Sequence, residues 1–151
     1  CAGEVLQGGL LERGCCGLPE YRQAIRGKTG ALFGFAGYAG GWHAAGETAG
    51  ERLRELGIDF GELYQLTDDL EDITEDAPGR FLTFPAVLLA EELGREAFLK
   101  LPPAAWPERF VAFKLQETGR QRVAALKAAL LARVREYPPA ERLGAFIEQI
   151  I

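Results

Sequence analysis

Methionine is absent from the 151 residues, and histidine occurs once, at His43. Cysteine is scarce as well. Cys1, Cys15 and Cys16 make an odd number with two neighbours adjacent, a pattern that suits neither a disulfide framework nor a zinc site. A reducing compartment, the cytoplasm, is the corresponding expectation. Long apolar runs are also missing. The most apolar stretch, "GALFGFAGYAGGWHAA" (30–45), is too short and too rich in glycine to cross a membrane, and no leader pattern is visible. Positive charge is in deficit: 17 Lys and Arg face 22 Asp and Glu, a net charge of −5, which argues against nucleic acid as a partner. A natural reading frame opens with methionine. A chain that begins at Cys1 and contains none is therefore expected to be a segment of a longer one.

What is present reads as helix almost throughout. The hydrophobic fraction of 48% and charged fraction of 26% are ordinary for one globular domain. "CAGEVLQGGLLERG" predicts a first helix, ended by Gly14 or Gly17. "LPEYRQAIRGKTGALFGFAGYAGG" predicts a second, with Pro19 in its first turn. "GETAGERLRELG" predicts a third, closed by Gly57 as a C-cap, and "IDFGELYQLTDDLEDI" a fourth. "TEDAPGRFLT" is a loop around Pro78 and Gly79. "FPAVLLAEELG" is a short apolar helix capped by Gly94, and "PPAAWP" is a break. Further helices are expected over about 107–117, 119–136 and 140–150. No stretch alternates with period two, so no strand is expected. Gly27, Gly30, Gly34 and Gly37 fall inside the second helix. Each costs about 1 kcal/mol against alanine there, and close helix–helix approach would offset that cost.

Two side-chain patterns stand out. In "LTDDLEDITED" (66–76), a wheel at roughly 100° per residue places Asp68, Asp69, Asp72 and Asp76 on one arc with Gln65 and Gly61. Leu63, Leu66, Leu70 and Ile73 lie opposite. Any surface helix can be amphipathic in this way. This arc, however, lacks a basic partner, and its i,i+4 aspartate pairs repel by roughly 0.2–0.5 kcal/mol each. Either it is a solvated acidic face or it is a cradle of hard oxygen donors suited to Mg²⁺. The second pattern is Lys28. The same wheel puts it among Tyr21, Ala24, Ile25, Leu32 and Phe35, with Arg22, Gln23 and Arg26 on the other side. Either the lysine snorkels to solvent, or its ammonium meets an anion. His43 has no partner in either pattern and is assigned no role.

These segments resemble the trans-isoprenyl diphosphate synthases, the polyprenyl synthetase family. "YQLTDDLED" (64–72) is similar to the family's second aspartate-rich motif, and "GKTGALF" (27–33) to its K-T motif. "GEVLQ" (3–7) resembles the segment that precedes the K-T motif. "LRELGIDFGELYQ" resembles the run into the second aspartate motif, "TFPAVLLA" the segment after it, and "LQETGRQRVAALKAAL" the C-terminal helices. The resemblance implies an all-α fold, the C-terminal part of the isoprenoid synthase helical bundle, in one partial domain over 1–151. It implies a prenyltransferase that condenses isopentenyl diphosphate with an allylic diphosphate through Mg²⁺-assisted ionisation. By the same resemblance Asp68, Asp69 and Asp72 are metal ligands, Lys28 holds the allylic diphosphate with the catalytic Thr29 beside it, and Gln65 and Gln7 line the cavity. Arg80 is the remaining base of the loop. The family's first aspartate motif has no counterpart in the sequence. An N-terminal half is therefore expected elsewhere, the isolated chain is expected to be inactive, and homo- or hetero-oligomers are expected. The alternative is a non-catalytic partner or regulatory subunit of a complete synthase. The start of the parent gene separates the two.

Overall fold

A computed structural model describes residues 7–71, 81–137 and 140–151. Within them the chain is all-α, as expected. Helix α1 (Leu18–Ile25) runs through a π turn (Arg26–Gly30) into α2 (Ala31–Ala45), and α3 (Glu47–Glu71) follows. After the acidic segment come α4 (Phe84–Leu93), α5 (Arg95–Lys100), a 3-10 turn (Pro103–Ala105), α6 (Trp106–Ala112), α7 (Leu115–Val134) and α8 (Ala140–Ile150). No strand occurs among the described residues. Nor is any helix among them long and apolar enough to cross a membrane.

The π turn and α2 lie antiparallel to α3 along a seam of glycines. A Cβ added at Gly37 would lie 2.3 Å from the Leu53 carbonyl oxygen, and one at Gly41 would lie 2.6 Å from that of Ala49. The close approach expected for the glycine-rich helix is thus present. Gly46 turns the chain between the two helices at φ +83°, a conformation open to glycine at little cost. Gly57 behaves differently from its expected role. It does not cap a helix: α3 passes through it without a break. Its missing side chain serves packing instead, since a Cβ there would lie 2.3 Å from the Phe33 carbonyl oxygen.

The expected alignment of Lys28 with Tyr21, Leu32 and Phe35 also fails. Tyr21, Ala24 and Ile25 are fully buried, whereas Leu32 and Phe35 are 71% and 73% exposed. The π turn accommodates an extra residue relative to an α-helix. The inward face therefore passes from Tyr21, Ala24 and Ile25 to Gly30 and Gly34. Lys28, in the turn, ends half-buried and outside the core.

Helix α4 is apolar on every side over Phe84 to Ala90, which are all buried, and sits at the centre. Helices α1, α3, α5, α6 and α7 pack around it. Its C-terminus is closed by Gly94 at φ +80°, as expected. The later break falls at Lys114, which takes a left-handed conformation (φ 55°) between α6 and α7, some residues before the expected position. The first expected helix ends earlier than Gly14 or Gly17. Residues 1–6 lie outside the described ones, Gln7 and Gly8 are helical, and turns lead to Gly14.

Candidate functional site

The K-T turn and the acidic end of α3 meet through one chain of hydrogen bonds. The Thr29 hydroxyl donates to Gln65 Oε1 at 2.7 Å, and Gln65 Nε2 donates to Asp69 Oδ1 at 2.8 Å. The buried Tyr21 hydroxyl donates to Asp69 Oδ2 at 2.5 Å, and the Phe84 backbone N–H donates to the same oxygen at 2.8 Å. Three elements thus converge on one carboxylate: α1, α3 and the first turn of α4. The Phe84 amide is one of the N–H groups that a helix start leaves without an intrahelical partner, and Asp69 supplies the acceptor. Thr83, at the N-cap position, makes no side-chain cap of its own.

Close backbone contact makes this meeting possible. A Cβ at Gly61 would lie 2.8 Å from both Gly30 Cα and the Thr29 carbonyl oxygen. A larger residue at Gly61 or Gly30 would push the π turn away from α3 and separate Thr29 from Gln65. π turns are frequent at functional sites, and this one carries both residues of the K-T motif.

The acidic arc is split. Leu63, Leu66 and Leu70 are buried, as expected, but the arc opposite them does not face solvent uniformly. Asp68 is exposed, while Asp69 is 6% exposed. Asp72 and Asp76, like Arg80, lie outside the described residues. Gln7 is buried, and its amide donates to the Leu82 carbonyl at 3.1 Å. It therefore ties down the segment entering α4.

A second polar cluster lies one turn earlier on α3. Arg22 Nε pairs with Glu62 Oε1 at 2.5 Å. Arg26 reaches Glu62 Oε2 at 2.6 Å and Asp59 Oδ1 at 2.8 Å, and Arg133 from α7 pairs with Asp59. Glu62 is buried beneath the two arginines. The basic face of α1 is thus neutralised within the protein. Lys28 forms no ion pair among the described residues. Its charge is directed neither into the core nor onto Glu62.

Burial pushes the Tyr21 hydroxyl well above the usual tyrosine range, and the charge of Asp69 and the hydrogen bond to it add to the rise. Tyr21 stays a neutral donor. Sequence reasoning counted it only as part of an apolar arc. The available signal was that a buried tyrosine hydroxyl requires an acceptor.

No three metal-ligating side chains converge among the described residues. The donor set nevertheless has the right chemistry for Mg²⁺, which takes one or two carboxylates alongside water and phosphate oxygens. Asp68 presents an exposed carboxylate at the end of α3, and the K-T turn packs against that helix.

No match is found among curated proteins or among solved structures. The polyprenyl synthetase family model matches residues 1–79, more than half of the chain, and that span includes both the K-T turn and the acidic motif. Family membership implies prenyl diphosphate substrates and dependence on a divalent metal in general. The chain belongs to the polyprenyl synthetase family, and its function is of the prenyltransferase type in general.

Proposed function

We propose that the chain takes part in condensing isopentenyl diphosphate with an allylic diphosphate, and that the surface formed by the K-T turn and the end of α3 receives a diphosphate head. The observation that carries this reading is the Thr29–Gln65 hydrogen bond, which joins two motifs 36 residues apart. Mg²⁺, when bound, would neutralise the charge that builds on the departing diphosphate. Asp68, which is exposed, and Asp72 are the proposed ligands, and Asp69 is proposed to lend an oxygen to the same ion. The Lys28 ammonium supplies a point charge for the same diphosphate. Thr29 and Gln65 hold fixed orientations at the edge of the surface. Arg22 and Arg26 take no part, because Glu62 and Asp59 already engage them.

The substrate class has a second support. Leu32 and Phe35 follow the K-T turn on a helix whose residues 31–45 include no Asp, Glu, Lys or Arg, and both are largely exposed. A polar head at the turn and an apolar tail along α2 suit an amphipathic prenyl diphosphate.

The test is calorimetric titration of the chain with MgCl₂ and inorganic pyrophosphate. Asp68→Ala is expected to weaken binding more than Glu71→Ala, because Glu71, although also exposed, lies off the shared arc. Equal losses would mean that general acidity does the binding, and the proposed site would be withdrawn.

A further inference from the structure

Asp69 is adjacent to Asp68, and a D-D pair invites the reading that both carboxylates meet metal in the same way. The hydrogen bonds say otherwise. One carboxylate oxygen has two lone-pair directions. Both directions at Asp69 Oδ2 are taken, by the Tyr21 hydroxyl and by the Phe84 amide. Oδ1 faces Gln65. Chelation of one cation through both oxygens of Asp69 is therefore opposed, and a cation that met this carboxylate would meet Oδ1.

We propose that Tyr21 is a positioning residue that sets the metal preference of the acidic site, by holding Asp69 to single-oxygen contact. The inference rests on the reading of this site as a Mg²⁺-diphosphate site. Its physical basis is the difference between two hard cations. Mg²⁺ requires near-ideal octahedral geometry, into which the narrow bite of a chelating carboxylate fits poorly. Ca²⁺ accepts two-oxygen carboxylates in larger, flexible shells. A carboxylate locked to one oxygen favours Mg²⁺. One released to offer both favours Ca²⁺ relatively more.

Tyr21→Phe removes the hydroxyl while keeping the ring, which stacks near Phe84 at 6.4 Å between centroids. Oδ2 then loses one of its two donors. The experiment measures affinities of the chain for Mg²⁺ and for Ca²⁺, each with inorganic pyrophosphate, by calorimetry. Loss of a partner that orients a ligand typically costs about 10–100-fold in metal affinity. The expected result is a fall in Mg²⁺ affinity of about 10-fold, with a smaller fall or a gain for Ca²⁺. The ratio of the two affinities thus drops. A role confined to folding would lower both together and leave the ratio unchanged.

If the unsubstituted chain binds with Asp68-dependent affinity and Tyr21→Phe keeps its Mg²⁺-to-Ca²⁺ ratio, the positioning inference alone is overturned. If the unsubstituted chain binds neither cation with pyrophosphate, the functional reading fails and the inference falls with it. A second measurement needs no substitution. The Tyr21 hydroxyl proton, buried in its hydrogen bond, is followed by NMR while MgCl₂ and pyrophosphate are added. A shift on saturation supports the inference, and an unmoved signal under saturating ligand overturns it.

Discussion

Replacing Gly57 by alanine tests the account of the α2–α3 seam against ordinary helix propensity. Propensity alone favours the change by about 1 kcal/mol, because Gly57 lies inside a continuous helix. The structure opposes it. The new methyl would lie 2.3 Å from the Phe33 carbonyl oxygen and 2.7 Å from its carbon. Carbon–oxygen contacts settle at about 3.3 Å or more, so the helices would have to part by about 1 Å. The obstructing atoms are backbone, so no rotamer change relieves them. Overpacking costs about 1–3 kcal/mol, and a clash with backbone belongs at the upper end of that range. The net expectation is a loss of about 2 kcal/mol, or a melting temperature lower by about 4–8 °C for a domain of this size. Gly40→Ala is the companion experiment. Gly40 lies in α2 with nothing within 4 Å of an added Cβ, so propensity acts unopposed and stability should rise by about 1 kcal/mol. Thermal and urea melts followed by circular dichroism read both. If Gly57→Ala is as stable as Gly40→Ala, the helices do not approach as closely as described, and the reasoning is refuted.

Two further outcomes follow from the polar groups. Replacing Arg22 and Arg26 together by alanine strands Glu62, whose side chain is 4% exposed, and should cost about 3–5 kcal/mol in urea melts. Either replacement alone should cost much less, since one arginine remains on the carboxylate; equal losses from single and double variants would contradict the shared pairing. Cys16 is held above the usual thiol range by burial, against the lowering effect of Arg95 and with smaller upward pushes from Glu20 and Cys15. A raised folded-state pKa means stability is fully present below the unfolded thiol value and declines as pH rises beyond about 8.5. Cys16→Ala should remove that part of the alkaline decline, and an unchanged pH profile would refute it.

Much of the fold was legible in sequence because it rests on periodicity. Leu63, Leu66 and Leu70 recur on one face of α3, and their burial follows from spacing alone. "FPAVLLA" reads as a helix apolar on all sides, and it sits at the centre. Gly57 was misread because glycine both ends helices and lets them touch, and sequence does not distinguish the two uses. The Lys28 face was misread because a wheel assumes one period throughout. The π turn breaks that period at Arg26–Gly30. Within the candidate site, the patterns singled out Asp68 and Lys28, and the resemblance alone pointed to Thr29; the bond between Thr29 and Gln65 was not legible at all. Nor was the difference between Asp68 and Asp69. It arises from Tyr21, 48 residues away in sequence, and from a backbone amide that no side-chain pattern reveals.

The coupling of the two motifs through Gln65 can be measured directly. Thr29→Val removes the donor to Gln65 Oε1 and leaves that oxygen, half-buried, without this partner. Gln65→Leu removes the acceptor for Thr29 and the donor to Asp69 together. Each lost hydrogen bond of this kind costs about 0.5–1.5 kcal/mol, and more when the abandoned group is charged. Gln65→Leu should therefore be the costlier of the two. If the Thr29–Gln65 contact is formed in solution, the double variant should cost less than the sum of the singles by about 1 kcal/mol, because the same bond cannot be lost twice. Urea melts of the four chains close the cycle. A coupling near zero would mean that the K-T turn and the acidic helix end do not touch through Gln65. In that case the geometric link between the two motifs, and with it the reason for placing one diphosphate against both, would be lost.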